Sequence, residues 1–210
     1  MTKYALFIEP SGQLLDFIID WKHRFETQFP RGAYCSHPPH STLLFCPIRE
    51  PALWLQSLSL SLKTTSSFEL TTSGPIAFPR DPCTHGGHTL AIGITTSSAL
   101  IKLQELVATA TTPHIDRYLL APTDGLLAEE PFKSSYITFG FPFVGSHWLP
   151  HFSIASPQIQ PNHPLVREFE STSMAFRQAV QCIGVWAIDG DRHVRLNSIS
   201  LNLPSHAHKR

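Results

Sequence analysis

Charge is scarce in this 210-residue chain. Lys, Arg, Asp and Glu make up 15% of it, well below the usual quarter. The 16 basic residues balance the 16 acidic ones, so the formal net charge is zero. A protein that tracks a long stretch of nucleic acid needs a Lys or Arg for each phosphate it neutralises. Neutrality therefore removes a long duplex from the expected partners and favours a small phosphorylated ligand or a chain end. Cysteine is also sparse: Cys35, Cys46, Cys83 and Cys182 include no Cys-x-x-Cys pair, which argues against a zinc knuckle or a thioredoxin-like site. No metal or other cofactor is expected. No apolar run approaches the ~20 residues that span a bilayer, and the first apolar stretch is too short for a signal peptide. These absences together predict a soluble, cytoplasmic, monomeric protein with reduced thiols.

Hydrophobic residues nonetheless reach 42% and aromatics 10%, enough for a substantial core in one domain of two packed lobes. The 18 prolines and 11 glycines predict many turns and few long helices. Tyr4 to Glu9 reads as a buried strand. Leu14, Leu15, Ile18, Ile19 and Phe25 recur at helical spacing to about Phe29. Strands are expected over Ser41 to Cys46, Phe68 to Ala77 and Thr89 to Thr95, with a helix from Pro51 to about Leu62 and another from Ser97 or Ser98 to about Thr109. A loop is expected from Pro79 to His88. Residues 110–135 are broken by Thr, Pro, Asp and Gly and read as an insertion or lid, with a short helix near Asp124 to Glu130. Tyr136 to Val144 is aromatic and interrupted by Gly140 and Pro142. A strand over His151 to Ser156 and a helix near Pro164 to Ser171 follow. Two long strands, Phe176 to Ile188 and His193 to Leu201, close the chain around the hairpin signal Asp189-Gly190-Asp191. Residues 205–210 read as a frayed tail. The order is that of an α+β fold with mostly antiparallel sheets, and its second half partly echoes its first.

One short phrase occurs twice. Pro39-His40-Ser41-Thr42-Leu43-Leu44 and Pro150-His151-Phe152-Ser153-Ile154-Ala155 share the form Pro-His-x-(Ser/Thr)-aliphatic. On a strand, side chains alternate, so His40 and Thr42 share a face that Leu44 and Cys46 continue, as do His151, Ser153 and Ala155. Two strands facing across a cleft would bring together two imidazoles and two hydroxyls. Histidine's ordinary pKa near ~6.5 lets one ring accept a proton and the other give one near neutrality. The hydroxyls of Thr42 and Ser153 suit the non-bridging oxygens of a phosphate. No metal ligand set is needed.

The paired motifs resemble those of the 2H phosphoesterase superfamily, which includes 2′-5′ RNA ligase-like proteins and 2′,3′-cyclic phosphodiesterases. The run Gly140-Phe141-Pro142-Phe143-Val144-Gly145 to Trp148-Leu149-Pro150-His151 resembles the approach to the second motif in bacterial members. The resemblance covers most of the chain and is specific at the two motifs. It implies His40 and His151 as the catalytic pair and Thr42 and Ser153 as the phosphate-binding hydroxyls. It also implies a bilobal fold of two pseudo-symmetric antiparallel sheets facing a central cleft, with helices outside, and metal-independent hydrolysis of a ribose cyclic phosphodiester. The rival activities are a 2′-5′ RNA ligase and a phosphodiesterase for ADP-ribose cyclic phosphate or cyclic oligonucleotides; outside catalysis, the rival is a nucleotide- or RNA-binding module. Ser153 stands where Thr is common, and the spacing from His40 to His151 is long.

Other residues carry weaker signals. Tyr34 and Trp148 are candidates for stacking on a nucleobase, set against a solvent-facing loop for Tyr34 and core packing for Trp148. Cys46 reads as a buried small hydrophobe. Arg31, Arg80 and Arg177 are phosphate contacts no better supported than surface charges. His85-Gly86-Gly87-His88 reads as a polar loop rather than a metal site, and His206 and His208 as surface residues.

Overall fold

The structure, a computed structural model, describes residues 2–203. Strand β1 (Lys3–Ile8) leads into helix α1 (Gly12–Gln28), which buries Leu14, Ile18, Trp21, Lys22 and Phe25 along one face. Strand β2 (Ser41–Cys46) carries the first phrase. Helix α2 (Pro51–Leu62) starts on its proline, whose missing N–H is no loss at a helix start. After β3 (Phe68–Asp81) and β4 (Gly87–Ile94), helix α3 (Ser98–Thr111) is capped by Ser97, whose hydroxyl accepts from the Leu100 amide at 3.2 Å. Helix α4 (Phe132–Phe139), β5 (His151–Ala155), α5 (Pro164–Ser171), β6 (Arg177–Val180), β7 (Cys182–Asp189) and β8 (Arg192–Ser200) complete the fold.

The strands form two four-stranded antiparallel sheets, ordered β2-β1-β7-β8 and β5-β4-β3-β6. This is the expected bilobal α+β architecture. The two phrase-bearing strands, β2 and β5, each end a sheet and lie beside one another. The helices cross over: α1 packs on β5 and α3 packs on β2. One continuous core joins both lobes, from Leu6 and Leu44 on one sheet to Ile92 and Phe152 on the other. The indole Nε1 of fully buried Trp54 donates to Thr111 Oγ1 at 3.0 Å, tying α2 to α3.

Four segments differ from expectation. Strand β3 continues past Ala77 to Asp81, because Phe78 pairs with Thr89 and Asp81 with Gly87; Pro79, which has no N–H to give a ladder, falls in the irregularity between them. The run Phe176 to Ile188 is two strands divided at Gln181, with β6 beside β3 and β7 beside β1. Tyr136 to Phe139 belongs to helix α4, which stops at Gly140 in the left-handed region (φ 64°). The short helix near Asp124 is a 3-10 turn over Gly125–Ala128. Residues 112–119 pack on the end of β2 away from His40: the Arg49 amide donates to the His114 carbonyl at 2.9 Å, and the Asp116 amide to that of Pro47 at 3.0 Å. The β7–β8 hairpin turns through Gly190 (φ 58°) between Asp189 and Arg192, as its sequence predicts. The tail 205–210, with His206 and His208, lies outside the described residues. Among the described residues no helix is long and apolar enough to cross a membrane.

Candidate active site

The two phrases present their histidines in the same way. The proline before each ring fixes its own φ and holds the preceding residue extended, so the carbonyl two residues back stays within reach. His40 Nδ1 lies 2.6 Å from the Pro38 carbonyl, and His151 Nδ1 lies 2.7 Å from the Leu149 carbonyl. A carbonyl only accepts, which places the proton on Nδ1 and leaves Nε2 as the acceptor of each neutral ring. Each imidazole also has an aromatic neighbour. His40 stacks on Phe7 of β1, 3.7 Å between centroids, and His151 lies 5.1 Å from Phe78 of β3.

Both strands then slip by one residue at the same place in the phrase. Thr42 pairs with Phe7 but Leu44 with Leu6, so Leu43 has no partner on β1. Ser153 pairs with Ala91 but Ala155 with Leu90, so Ile154 has no partner on β4. Such a bulge reverses the alternation beyond it. Thr42 therefore shares a side with Phe7, which stacks on His40. Leu44 and Cys46 turn to the opposite, helix-backed side with their partners Leu6 and Tyr4, and Ala155 turns there with Leu90. The expectation that Leu44 and Cys46 continue the His40 row, and Ala155 the His151 row, is corrected by this slip. Cys46 is buried, and burial pushes its thiol up to about 12. Thr42 and Ser153 are half-buried, and their hydroxyls make no hydrogen bond among the described residues.

Three ties hold the seam between the lobes. Trp148 is buried, and its Nε1 donates to the Thr42 carbonyl at 3.2 Å. The Ser156 amide donates to the Ala33 carbonyl at 2.8 Å. Lys22, on the buried face of α1, donates to the carbonyl of Tyr34 and, at 3.4 Å, to that of the bulge residue Ile154. Tyr34 sits in the left-handed region (φ 70°), half-buried, with its ring edge-on to His37 at 5.6 Å. Burial raises its phenol, and Asp81 adds to the effect.

Electrostatically the two histidines are not equivalent. Burial lowers both, His40 to about 3. Around His40, the Lys22 amine and the imidazoles of His193 and His37 reinforce that lowering. Around His151, the Asp81 carboxylate opposes it. Asp81 is itself held by the Thr89 hydroxyl at 2.6 Å and the Cys83 amide at 2.9 Å. On the first lobe, Arg195 gives two hydrogen bonds to Glu9, at 2.8 and 3.0 Å.

The remaining sequence candidates lie elsewhere. Arg31 and Arg80 are exposed, and Arg177 faces Glu69 at 3.7 Å on the surface. His85 holds a left-handed turn and His88 is buried in β4. Among the described residues, no group of three or more His, Cys, Asp or Glu is placed to hold a metal. A recess of about 430 Å³ between the start of α1 and β6 contains neither phrase. Sequence reasoning missed Lys22, His37, His193, Asp81, Phe7 and Phe78. For Lys22 a signal existed: it lies four and eight residues after Ile18 and Leu14, on the apolar stripe of α1. For the others, nothing local marks a strand or turn residue as facing the histidines.

A seam between two four-stranded antiparallel sheets, with helices packed across it, defines the class of fold. Solved structures share it. TT0787 of Thermus thermophilus has a TM-score of 0.59 at 12% identity, over 96% of this chain and 99% of that one. LigT of E. coli in its apo form has a TM-score of 0.57 at 14% identity, over 96% and 98% of the two chains. A protein described as a phosphoesterase has 0.56 at 14%, over 96% and 99%. The chain thus has the LigT and phosphoesterase fold that its motifs imply. No protein-family model matches the sequence, and no curated protein matches it either.

Proposed function

We propose that the chain is a metal-independent 2H-type phosphodiesterase that hydrolyses a cyclic phosphodiester on ribose, either a nucleoside 2′,3′-cyclic phosphate or an RNA end bearing one. One observation carries this reading. Two imidazoles, one just before β2 and one at the start of β5, have the same tautomer fixed by the same backbone tie, and each is followed two residues on by an uncommitted hydroxyl. LigT structures with phosphate and with 3′-AMP support a phosphate or nucleotide as the ligand.

In this reaction a neutral imidazole takes a proton from water as the water oxygen bonds to phosphorus. The bond from phosphorus to one ribose oxygen breaks, and the second histidine gives that oxygen its proton. The products are a phosphomonoester and a ribose hydroxyl. Thr42 and Ser153 donate to the non-bridging oxygens, where charge builds in the transition state. The surroundings divide the roles, as they do wherever environments push two titratable groups apart. His40, beside the Lys22 amine, is the base; His151, beside Asp81, is the acid once the anionic phosphate restores its proton.

The test is hydrolysis of 2′,3′-cyclic nucleotides and cyclic-phosphate RNA ends in EDTA. His40→Ala and His151→Ala should each lower kcat/KM by about 10² or more. A diester with a good leaving group should rescue His151→Ala and not His40→Ala. Wild-type activity in either variant overturns the reaction, and rescue of His40→Ala alone reverses the roles.

A further inference from the structure

The two-histidine reaction leaves a pair of imidazoles beside it without a task. His37 lies in the turn before the first phrase, and His193 lies on β8 just past the hairpin. Their rings are 4.4 Å apart, and the His193 ring is 6.1 Å from that of His40. Strands β2 and β8 are opposite ends of one sheet, so this contact means that the sheet curls until its ends approach. His193 Nδ1 lies 3.1 Å from the Asp191 carbonyl, the same tie, to the residue two back, that holds His40 and His151; its Nε2 is left for another partner. The His37 ring makes no hydrogen bond among the described residues.

The charges around the pair favour an anion. The Lys22 amine donates to the Tyr34 carbonyl, and the Tyr34 ring meets His37. His40 stands on the other side, and Asp191 is the carboxylate within reach of His37. Burial, with His193 and Lys22, holds His37 down at about 4, so in the free protein that ring is largely uncharged. A bound phosphate reverses that balance, because each imidazole then gains an anionic acceptor for its proton. Among the described residues the second lobe has no such ring pair; the charged group that acts on His151 there is Asp81. The charged groups beside the two catalytic histidines therefore differ, the Lys22 amine near His40 and the Asp81 carboxylate near His151.

We propose that His37 and His193 form a subsite for a second phosphate, so that the preferred substrate carries a 5′-phosphoryl group as well as the 2′,3′-cyclic phosphate. This rests on the hydrolytic reading above. The separation of His193 from His40 is comparable with that of neighbouring phosphates along a sugar–phosphate chain. A 5′-phosphorylated mononucleotide and the terminal nucleotide of an RNA strand both present this chemistry.

The test compares kcat/KM for a nucleoside 2′,3′-cyclic phosphate with that for the same nucleotide bearing a 5′-phosphate, and with a dinucleotide ending in the cyclic phosphate. Wild-type protein should prefer the 5′-phosphorylated mononucleotide by about tenfold or more, as expected for one or two charge-assisted hydrogen bonds. His37→Phe and His193→Phe, which keep a ring and lose the proton, should bring that ratio close to one. His193→Gln serves if a Phe variant does not fold. An equal preference in wild-type protein, or a preference that survives in both variants, overturns the subsite. A dinucleotide favoured over the phosphorylated mononucleotide identifies an RNA end as the source of the second phosphate. If neither cyclic phosphate is turned over, the hydrolytic reading fails instead; equilibrium binding of the same pair to wild-type and variant protein then decides the subsite separately.

Discussion

Lys22→Met should uncouple the stability of this protein from alkaline pH. Lys22 is 5% exposed, and the hydrogen bonds of its amine go to two carbonyls rather than to a carboxylate. Burial lowers it from 10.5 to about 8. Below pH 8 the amine is charged in both folded and unfolded chains, and the folded state bears the full desolvation cost. Between pH 8 and 10.5 the folded protein releases the proton while the unfolded chain keeps it, so folding gains stability as pH rises. The gap corresponds to roughly 3 kcal/mol, most of it realised by pH 10. Urea unfolding at pH 7, 8.5 and 10 gives the difference in stability between the protein that keeps Lys22 and the Lys22→Met variant. Both should carry Cys35→Ala, because the Cys35 thiol interacts electrostatically with the amine. The difference should move in favour of Lys22 by roughly 2 to 3 kcal/mol across the range. A constant difference at all three pH values would refute the account of a buried, charged amine.

Two further outcomes follow from the seam. Pro150→Ala loosens the link between the Leu149 carbonyl and the His151 ring, and should lower kcat by about ten- to a hundredfold with little change in melting temperature; steady-state kinetics beside a thermal melt separates the two. Gln104 is fully buried and joins α3 to the approach to β5, its Nε2 donating to the Phe143 carbonyl at 2.8 Å and its Oε1 accepting from the Gly145 amide at 3.1 Å. Gln104→Leu strands both backbone groups and should cost about 2 kcal/mol in chemical unfolding.

Much of this molecule is legible in its sequence, where local chemistry decides. Pro51 marks the start of α2, Ser97 caps α3, and Asp189-Gly190-Asp191 turns the last hairpin. The repeated phrase locates both end strands. What escapes reading depends on partners. Nothing in Phe176 to Ile188 shows that Gln181 divides it between sheets, since an apolar run looks alike whichever strand it joins. The slips at Leu43 and Ile154 exist only relative to β1 and β4, so strict alternation carries Leu44, Cys46 and Ala155 to the wrong side. His193 meets His37 and His40 only because the first sheet curls, a property of strand twist summed over the whole sheet rather than of any residue in it.

The seam has a consequence for how the protein behaves among its own copies. An open sheet edge offers unpaired backbone groups to any passing strand and seeds aggregation. Here the edges of the two most apolar end strands, β2 and β5, are turned against each other. The edges left free are β6, only four residues long, and β8, which exposes Arg192 and Arg195. Shortness and charge are both deterrents to pairing. The contact that sets the two phrase-bearing strands side by side thus also covers their edges, and a substitution that parts the lobes should promote clumping and, on the proposed reading, abolish activity in the same step.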